Sequence, residues 1–474
     1  MLYHTKNLAR HRISEPDILN PILFLNRRLK MQRSLAHWRG IVAAVSLFLF
    51  FTCFLSWNTA MAFQPLKGDM ASFVPGKSDT PVTGDTIKVA LVNPFSGAAA
   101  SAGEWFYISL AWVVHDINTQ GGILVDGKMK KIQILKGDTQ VKPDIARKVI
   151  ERLILEDKVD VLVGTAGTHI TIVAQMLAGV HKKIFVNNCS YSDLLLDEKN
   201  WNPYVFQVMA PNTTQWTLAL AQYYAKRPEK KFYILCQDYA YGHAYAETFK
   251  SAIKQHKPDA QIVGEDFFPL FVKDFAPYLT KIKASGADAI ITQAWSADNE
   301  NLLKQSKQFG VNLPISSIYL DDPNPLKAIG GPAGAGMVVM QTHIPAIDTA
   351  LNKKFNELWT KQWKKWGKPY DSEMYKWPGG FVGSSAISVY WLFDVIQRAK
   401  TTNAEKIIKV WEGDKYQSII GPLYMRPQDH LALSDIYFSE LVFPNKWYDQ
   451  NAGWGQVVAV PQALCTPPII NGRK

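Results

Sequence analysis

Hydrophobic and polar positions follow the same order in two stretches of the chain, residues 160–192 and 288–322. Each stretch opens with a short apolar run, passes through a loop of small and polar residues into a segment of helical period, and closes with a second apolar run. This order is typical of a βαβ unit, whose crossover connection makes its two strands parallel. The chain is therefore expected to contain two lobes built on one plan.

The loop after the first strand occupies an equivalent place in the two units, at residues 165–169 and 293–298. In open parallel sheets, ligands bind beyond the carboxyl ends of the strands. Two lobes that carry equivalent loops can face each other, so the pattern predicts a ligand cleft between them.

The rest of the chain extends this alternation. Strands are predicted near residues 87–92 and 132–135, each followed by a helical segment, and the pattern restarts after Pro211. Two late helical segments must pack back on an earlier lobe. The predicted fold class is α/β, with two Rossmann-like lobes, parallel sheets and a ligand cleft between them. The predicted boundaries are a signal peptide with a long leader at 1–62, a linker at 63–85, an N-terminal lobe at 86–210 plus 340–422, and a C-terminal lobe at 211–339 plus 423–474.

The N-terminal region has the order of a secretory signal peptide. Arg33 and Arg39 precede an apolar run at residues 41–57, and small residues with an A-x-A site end at Ala62. We expect cleavage near Ala62 and a periplasmic location. Because the run is close to the lower limit for spanning a bilayer, a membrane anchor is the alternative. The start of translation stays open between Met1 and Met31.

Charge and cysteine content narrow the function classes. The net charge of +11 is partly due to residues 1–62, which hold eight Lys/Arg and two Asp/Glu. The basic residues after position 62 form no continuous basic stripe. We therefore expect no nucleic-acid partner. Cys189, Cys236 and Cys465 remain after the leader, without C-x-x-C spacing, and a disulfide among them stays open. No hydrolase, zinc-protease or P-loop motif occurs. We therefore expect no enzymatic activity, no metal and no cofactor.

Short motifs along the chain occur in the order and spacing of a known family. They are residues 87–97, 116–123, 159–164, 241–242 and 420–424, together with Asp138, Pro143, Ala146, Arg426, Asp429 and His430. In these motifs the chain resembles type I periplasmic binding proteins of the leucine/isoleucine/valine-binding family, over roughly residues 86–460.

The resemblance implies a monomer that closes by hinge motion around a small-molecule ligand. It also implies delivery of that ligand to the permease of an inner-membrane ABC transporter. Because one fold serves many functions, two alternatives stay open. The first is a ligand sensor that presents its closed form to a membrane receptor, and the second is an exported enzyme on the same scaffold.

The resemblance further implies residues of the ligand site. The hydroxyl-bearing loop residue of the family corresponds to Thr168, and the next small-residue loop corresponds to Cys189 and Tyr191. The cleft tyrosine of the second lobe corresponds to Tyr241, and an aromatic residue corresponds to Trp295. A hydroxyl and backbone N–H groups at the start of a helix suit an anionic group of a ligand.

The ligand class depends on where an acidic residue lies. Amino-acid binders of the family place the acid that pairs with the ligand ammonium at about Tyr319, whereas here Asp321 and Asp322 come slightly later. If Tyr319 has replaced that acid, a buried ammonium loses its partner, and a carboxylate, amide or aromatic metabolite suits the site better. If Asp321 or Asp322 turns into the cleft, an amino acid remains. Both alternatives stay open, and the centre of the family slightly favours amino acids or amides.

We predict that the mature protein begins near Phe63 and is released in soluble form by osmotic shock, because the apolar run ends in a cleavable A-x-A site. N-terminal sequencing of the purified protein tests this prediction. Membrane-bound protein that still contains residues 41–57 would show that the run is an anchor.

Overall fold

The computed structural model describes residues 63–77, 84–321 and 323–473. The strands are β1 (Thr86–Asn93), β2 (Ile123–Val125), β3 (Lys128–Asp138), β4 (Val161–Gly164), β5 (Ile184–Asn187), β6 (Val205–Gln207), β7 (Lys231–Gln237), β8 (Gln261–Phe268), β9 (Ala289–Ile291), β10 (Ile315–Ser317), β11 (Val338–Gln341), β12 (Lys415–Ser418), β13 (Gly421–Met425), β14 (Ala432–Leu433), β15 (Ile436–Val442) and β16 (Gly453–Val460).

The helices connect these strands and cover the sheets. They are α1 (Ala100–Thr119), α2 (Pro143–Leu155), α3 (Thr168–His181), α4 (Thr213–Tyr224), α5 (Ala240–His256), α6 (Ala276–Ser285), α7 (Ala297–Gln308), α8 (Pro323–Ile329), α9 (Gly331–Gly334), α10 (Ala350–Thr360), α11 (Gly380–Ala399), α12 (Ala404–Trp411) and α13 (Gln462–Cys465). None of the described helices is long and apolar enough to cross a membrane.

Two large sheets form the centres of two lobes, which confirms the predicted α/β class. The first sheet has the order β2-β3-β1-β4-β5-β6, and the second has the order β16-β15-β11-β10-β9-β7-β8. Strands such as β4 and β5 are buried along their whole length, as expected for parallel strands with helices on both faces.

The sheets are mixed, whereas the sequence pattern predicted parallel sheets. Strand β2 pairs antiparallel with β3, and β15 pairs antiparallel with both β11 and β16. These antiparallel strands lie at one margin of each sheet, and a third, small antiparallel sheet has the order β12-β13-β14. The parallel centre comes from βαβ crossovers, while short connections such as the one between β2 and β3 can only join antiparallel neighbours.

The internal repeat is present as predicted. In the first lobe β4, α3 and β5 form one βαβ unit, and in the second lobe β9, α7 and β10 form the other. In each unit the two parallel strands therefore end at the same edge of the sheet, which is the edge where the connecting helix begins. This edge carries the ligand loops described below.

The chain passes between the lobes at neighbouring places. Strand β11 belongs to the second sheet, but α11 packs on α1 of the first lobe, where Ser109 Oγ donates to Val382 O at 2.8 Å. Near the crossings, Gln207 forms an isolated parallel β-bridge with Leu431, and Thr342 Oγ1 donates a hydrogen bond to Met209 O at 3.2 Å. Adjacent crossings of this kind are where a hinge between lobes absorbs motion.

Residues 63–77 are packed on the first lobe, although composition predicted a linker over 63–85. The apolar side chains of this segment recur every three or four residues and are buried; they are Phe63, Leu66, Met70 and Phe73. The proline and glycine content of the segment does not indicate this apolar spacing. The predicted signal peptide at 1–62 and residues 78–83 lie outside the described residues.

The carboxylate of Asp116 on α1 holds this segment in place. It accepts hydrogen bonds from Leu66 N–H at 2.6 Å, Gly68 N–H at 2.5 Å, Tyr390 O–H at 2.5 Å and Gln120 Nε2–H at 2.9 Å. A Cβ at Gly68 would lie 2.3 Å from the backbone oxygen of Asp116, so the close approach requires glycine. One buried acid therefore joins the N-terminal segment, α1 and α11.

We predict that Asp116→Asn lowers the free energy of unfolding by about 1.5–3 kcal/mol, because an amide keeps one acceptor oxygen and turns an N–H toward groups that donate. Urea denaturation followed by far-UV circular dichroism measures the change. Asp69→Asn, on the exposed side of the same segment, is the control and is expected to have little effect. Equal stability of Asp116→Asn and the wild type would contradict this role of Asp116.

Candidate ligand-binding cleft

A cleft of about 670 Å³, including the space at its open mouth, lies where the ligand loops of both lobes meet. Residues from both lobes line it: Ser101, Ala102, Trp105, Phe106, Ala166, Gly167, Thr168, Cys189, Ser190, Tyr191, Tyr239, Tyr241, Trp295, Ser296, Asn299, Tyr319 and Phe381.

The structure brings most of the candidate site residues together. Six of the seven candidates line this one cleft, namely Thr168, Cys189, Tyr191, Tyr241, Trp295 and Tyr319. Asp321 is the exception, and Asp322 lies outside the described residues.

The first-lobe wall is built on the start of α3. Thr168 is the first residue of this helix and follows Gly167, whose φ of 92° is accessible to glycine at little cost. The N–H groups of a first helical turn have no partner within the helix, and the helix dipole makes this end positive. Thr168 thus offers a hydroxyl and a helix N-terminus to the cleft.

The neighbouring loop after β5 is held by its own polar side chains. Asn187 Oδ1 accepts hydrogen bonds from Cys189 N–H at 3.2 Å and from Ser190 N–H at 2.9 Å. Ser190 Oγ donates to Thr165 O at 2.5 Å and accepts from Thr171 Oγ1 at 2.6 Å. These bonds connect the loop to the start of α3, so the two walls of this lobe have a defined spacing.

The second-lobe wall comes from the starts of α5 and α7. A Cβ at Gly242 would lie 1.9 Å from the carbonyl oxygen of Gln237, so α5 can begin this close to β7 only with glycine there. Just before α7, Ser296 Oγ donates to Ala98 O of the first lobe at 2.8 Å. The lobes are therefore in contact across the cleft.

Aromatic side chains fill much of the cleft wall. The ring of Tyr191 lies 6.0 Å from that of Tyr241 and 6.5 Å from that of Tyr319, and Tyr319 stacks on Phe381 at 5.4 Å. Burial raises the pKa of Tyr191, Tyr241 and Tyr319 well above the usual value of a phenol. These tyrosines are neutral at physiological pH and can donate or accept hydrogen bonds.

None of the described residues that line the cleft carries a formal charge. The thiol of Cys189 is also neutral, because burial raises its pKa above the usual value. The cleft can therefore offer aromatic contact, neutral hydrogen-bonding groups and the positive end of α3, and none of its described lining residues is a carboxylate that could pair with a ligand ammonium.

Asp321 has a structural position next to the cleft. Its Oδ1 accepts from Trp454 Nε1–H at 2.8 Å, and its Oδ2 accepts from Gly380 N–H at the start of α11. It lines a smaller adjoining pocket that shares Trp105 and Phe381 with the cleft. A carboxylate at a helix N-terminus is stabilised there by the helix dipole, which explains why it does not turn toward the ligand.

The other buried acid of this region, Asp298, is also engaged by the protein. Its Oδ2 accepts from Gln237 Nε2–H at 2.6 Å and from Phe271 N–H at 2.8 Å, and burial raises its pKa. Asp298 is not among the residues that line the cleft.

Three prominent lining residues were not among the candidates. Tyr239 follows β7 directly, and Asn299 lies in the first turn of α7, so the rule that ligands bind beyond strand ends would have pointed to both. Phe381 comes from α11, far along the chain from the strands it faces. No local pattern indicates its position.

Comparison with known families gives a match over most of the chain. The family profile described as periplasmic binding protein matches residues 86–446. Leu/Ile/Val-binding protein homolog 4 of Brucella abortus is 24% identical over 368 residues, which cover 73% of this chain and 82% of the relative. Homolog 6 of Brucella suis is 24% identical over 369 residues, which cover 75% and 88%.

Solved structures share the fold. A solute-binding protein of an ABC transporter from Rhodopseudomonas palustris aligns with a TM-score of 0.68 and 22% identity, covering 79% of this chain and 98% of that protein. A leucine-binding protein from Thermotoga maritima aligns with a TM-score of 0.66 and 18% identity, covering 79% and 99%. Together with the family match, these findings confirm the resemblance and the fold inferred from the sequence.

Proposed function

We propose that this chain, which belongs to the family of periplasmic binding proteins, is the exported solute-binding component of an ABC transporter and takes a small aromatic carboxylate as its ligand. Membership of the family also makes it a binding protein and not an enzyme. The observation that carries the ligand class is a cleft lined by aromatic rings, with the start of α3 in one wall and no charged side chain among the described lining residues.

The carboxylate end of the ligand is assigned to the start of α3. A negative group near a helix N-terminus gains about 0.3–1 kcal/mol at an exposed site and up to about 2 kcal/mol in a partly buried one. Thr168 is 4% exposed and adds a hydroxyl that can donate to a carboxylate oxygen. This end of the cleft suits an anion without any basic side chain.

The aromatic body of the ligand is assigned to the tyrosine and tryptophan walls. Offset or edge-to-face contacts between rings contribute about 0.5–1.5 kcal/mol beyond burial of area. Tyr191, Tyr241 and Trp295 are 5%, 2% and 5% exposed, so they are already ordered and lose little freedom when a ring enters between them.

A free α-amino acid suits this cleft less well. Its ammonium would be buried without a carboxylate partner among the described lining residues, which is unfavourable by several kcal/mol. Asp321 is bound to the start of α11, and Asp298 is bound to Gln237. The preference for amino acids or amides that the family suggested is thus replaced in our proposal by a preference for an acid without an ammonium group.

Related proteins provide examples of both ligand classes. The Rhodopseudomonas palustris protein was crystallised with 3,4-dihydroxybenzoic acid, and another protein from that genus was crystallised with benzoate. The Thermotoga maritima protein is described as leucine-binding, and the Brucella relatives are named for leucine, isoleucine and valine. The chemistry of the cleft in this chain favours the first group.

The contact between Ser296 and Ala98 supports a site that closes by approach of the lobes. Closure around a solute is the signal that a permease or a receptor can read. We propose delivery to a permease because a similar structure, that of the Rhodopseudomonas palustris protein, is described as a solute-binding protein of an ABC transporter. A sensor for a membrane receptor is the second candidate, and neighbouring permease and ATPase genes would argue against it.

A thermal-shift panel tests the ligand class. We predict that benzoate, 4-hydroxybenzoate and 3,4-dihydroxybenzoate raise the melting temperature, while leucine, isoleucine and valine do not. A ligand that binds only the folded state stabilises it by an amount that grows with the logarithm of its concentration relative to its Kd. Stabilisation by amino acids alone would refute the proposal. In that case, loss of the stabilisation by amino acids in Asp321→Asn would show that Asp321 pairs with the ligand ammonium.

Substitutions test the site. We predict that Thr168→Val weakens binding of the best carboxylate of the panel roughly five- to tenfold through the loss of one hydrogen bond. Trp295→Ala is expected to weaken it more, because it removes a buried aromatic surface. Isothermal titration calorimetry measures both, with Thr248→Val on the outer part of α5 as control. Unchanged affinity in Thr168→Val and Trp295→Ala would place the ligand elsewhere.

A further inference from the structure

Asn299 is held in a single orientation at the second-lobe wall of the cleft. Its Nδ2 donates to the backbone oxygen of Tyr319 at 2.9 Å, and the residue is 1% exposed. Because a carbonyl oxygen can only accept, this bond requires the amide nitrogen to face Tyr319 and the amide oxygen to face away.

The amide oxygen of Asn299 has no hydrogen-bond partner within the described part of the chain. The hydroxyl of Tyr241, which lines the same cleft, is likewise buried and without a partner there. A buried acceptor that is left unsatisfied costs about 1–3 kcal/mol. Trp295 Nε1 on the same wall is also buried and without a partner there. The second-lobe wall therefore presents the Asn299 oxygen, which can only accept, the Tyr241 hydroxyl, which can accept or donate, and the Trp295 N–H, which can only donate.

We infer that the ligand carries a hydrogen-bond donor on the side opposite its carboxylate, and that Asn299 is the residue that selects for it. This inference rests on the proposed function, since it takes the carboxylate to lie at Thr168 on the other lobe. The donor is an O–H or a neutral N–H on the aromatic ring, such as a phenol, an aniline or a carboxamide. An ammonium is excluded by the same argument that disfavours amino acids.

Selection works through the cost of leaving Asn299 unsatisfied. A ring with a phenolic O–H satisfies Oδ1, whereas an unsubstituted ring buries that oxygen against carbon. A methoxy group is a more stringent probe, because its oxygen can only accept hydrogen bonds and would lie near Asn299 Oδ1, which can also only accept. Sites that hydrogen-bond a ligand hydroxyl reject analogues without it far more strongly than apolar pockets reject a change in size.

Isothermal titration calorimetry with the full mature chain tests the inference with four probes: benzoate, 3-hydroxybenzoate, 4-hydroxybenzoate and 4-methoxybenzoate. We predict that at least one hydroxybenzoate binds roughly ten- to a hundredfold more tightly than benzoate, and that 4-methoxybenzoate gains nothing over benzoate. Two hydroxyl positions are included so that either ring geometry can meet Asn299.

Variants assign the effect to a residue. In Asn299→Leu, which keeps the approximate shape but removes the acceptor, the affinity ratio of hydroxybenzoate to benzoate is expected to fall toward one. The ratio is the deciding quantity, because a general disturbance of the cleft weakens both ligands together. Asn301→Leu, on the same helix but outside the cleft, is the matched control and should keep the wild-type ratio. If Asn299→Leu does not fold, Asn299→Ser replaces it.

The outcomes separate this inference from the proposed function. Equal affinities for benzoate and both hydroxybenzoates in the wild type would overturn the inference and leave the aromatic carboxylate site intact. Selectivity that survives in Asn299→Leu but disappears in Tyr241→Phe would assign it to Tyr241 and overturn the role of Asn299. Absence of binding by all four probes would overturn the proposed function itself.

Discussion

Parallel strand pairing is the constraint on which the rest of this structure depends. In the first lobe β1, β4 and β5 are parallel neighbours, and in the second lobe β7, β9 and β10 are parallel neighbours. Parallel strands all end at the same edge of their sheet, so the loops after them and the helices that follow gather there. Each lobe consequently offers helix N-termini and polar loops at one edge, and the cleft forms where the two edges meet.

The same geometry explains how a neutral site can hold an anion. Backbone N–H groups at the start of α3 supply positive potential without a basic side chain, which would itself need a partner when buried. The tyrosines opposite stay uncharged because burial raises their pKa. Two described acids of the region are bound to protein groups, Asp321 to Gly380 at the start of α11 and Asp298 to Gln237. Hydrogen bonds around the cleft thus hold these two carboxylates away from it.

The first lobe is completed by two segments that are distant along the chain. Residues 63–77 precede β1, while α11 comes after β11 of the second sheet, and both meet at Asp116. Because α11 also contributes Phe381 to the cleft, the packing of this helix on α1 affects the site directly. Near the crossings, the β-bridge between Gln207 and Leu431 and the hydrogen bond from Thr342 to Met209 join the segments that pass between the lobes.

Local patterns were enough to predict the α/β class, the two similar βαβ units and the place of the ligand loops, because short apolar runs and helical periods can be read locally and a βαβ crossover makes its two strands parallel. The resemblance of the sequence to a known family also pointed to six residues that line the cleft, from Thr168 to Tyr319. Tertiary structure alone decided that Asp321 serves the start of α11 and that Phe381 enters the cleft. It also decided that the spacing of Phe63 to Phe73 is used for packing. These outcomes depend on contacts between residues far apart in the chain, such as Asp321 with Trp454, which no local pattern encodes.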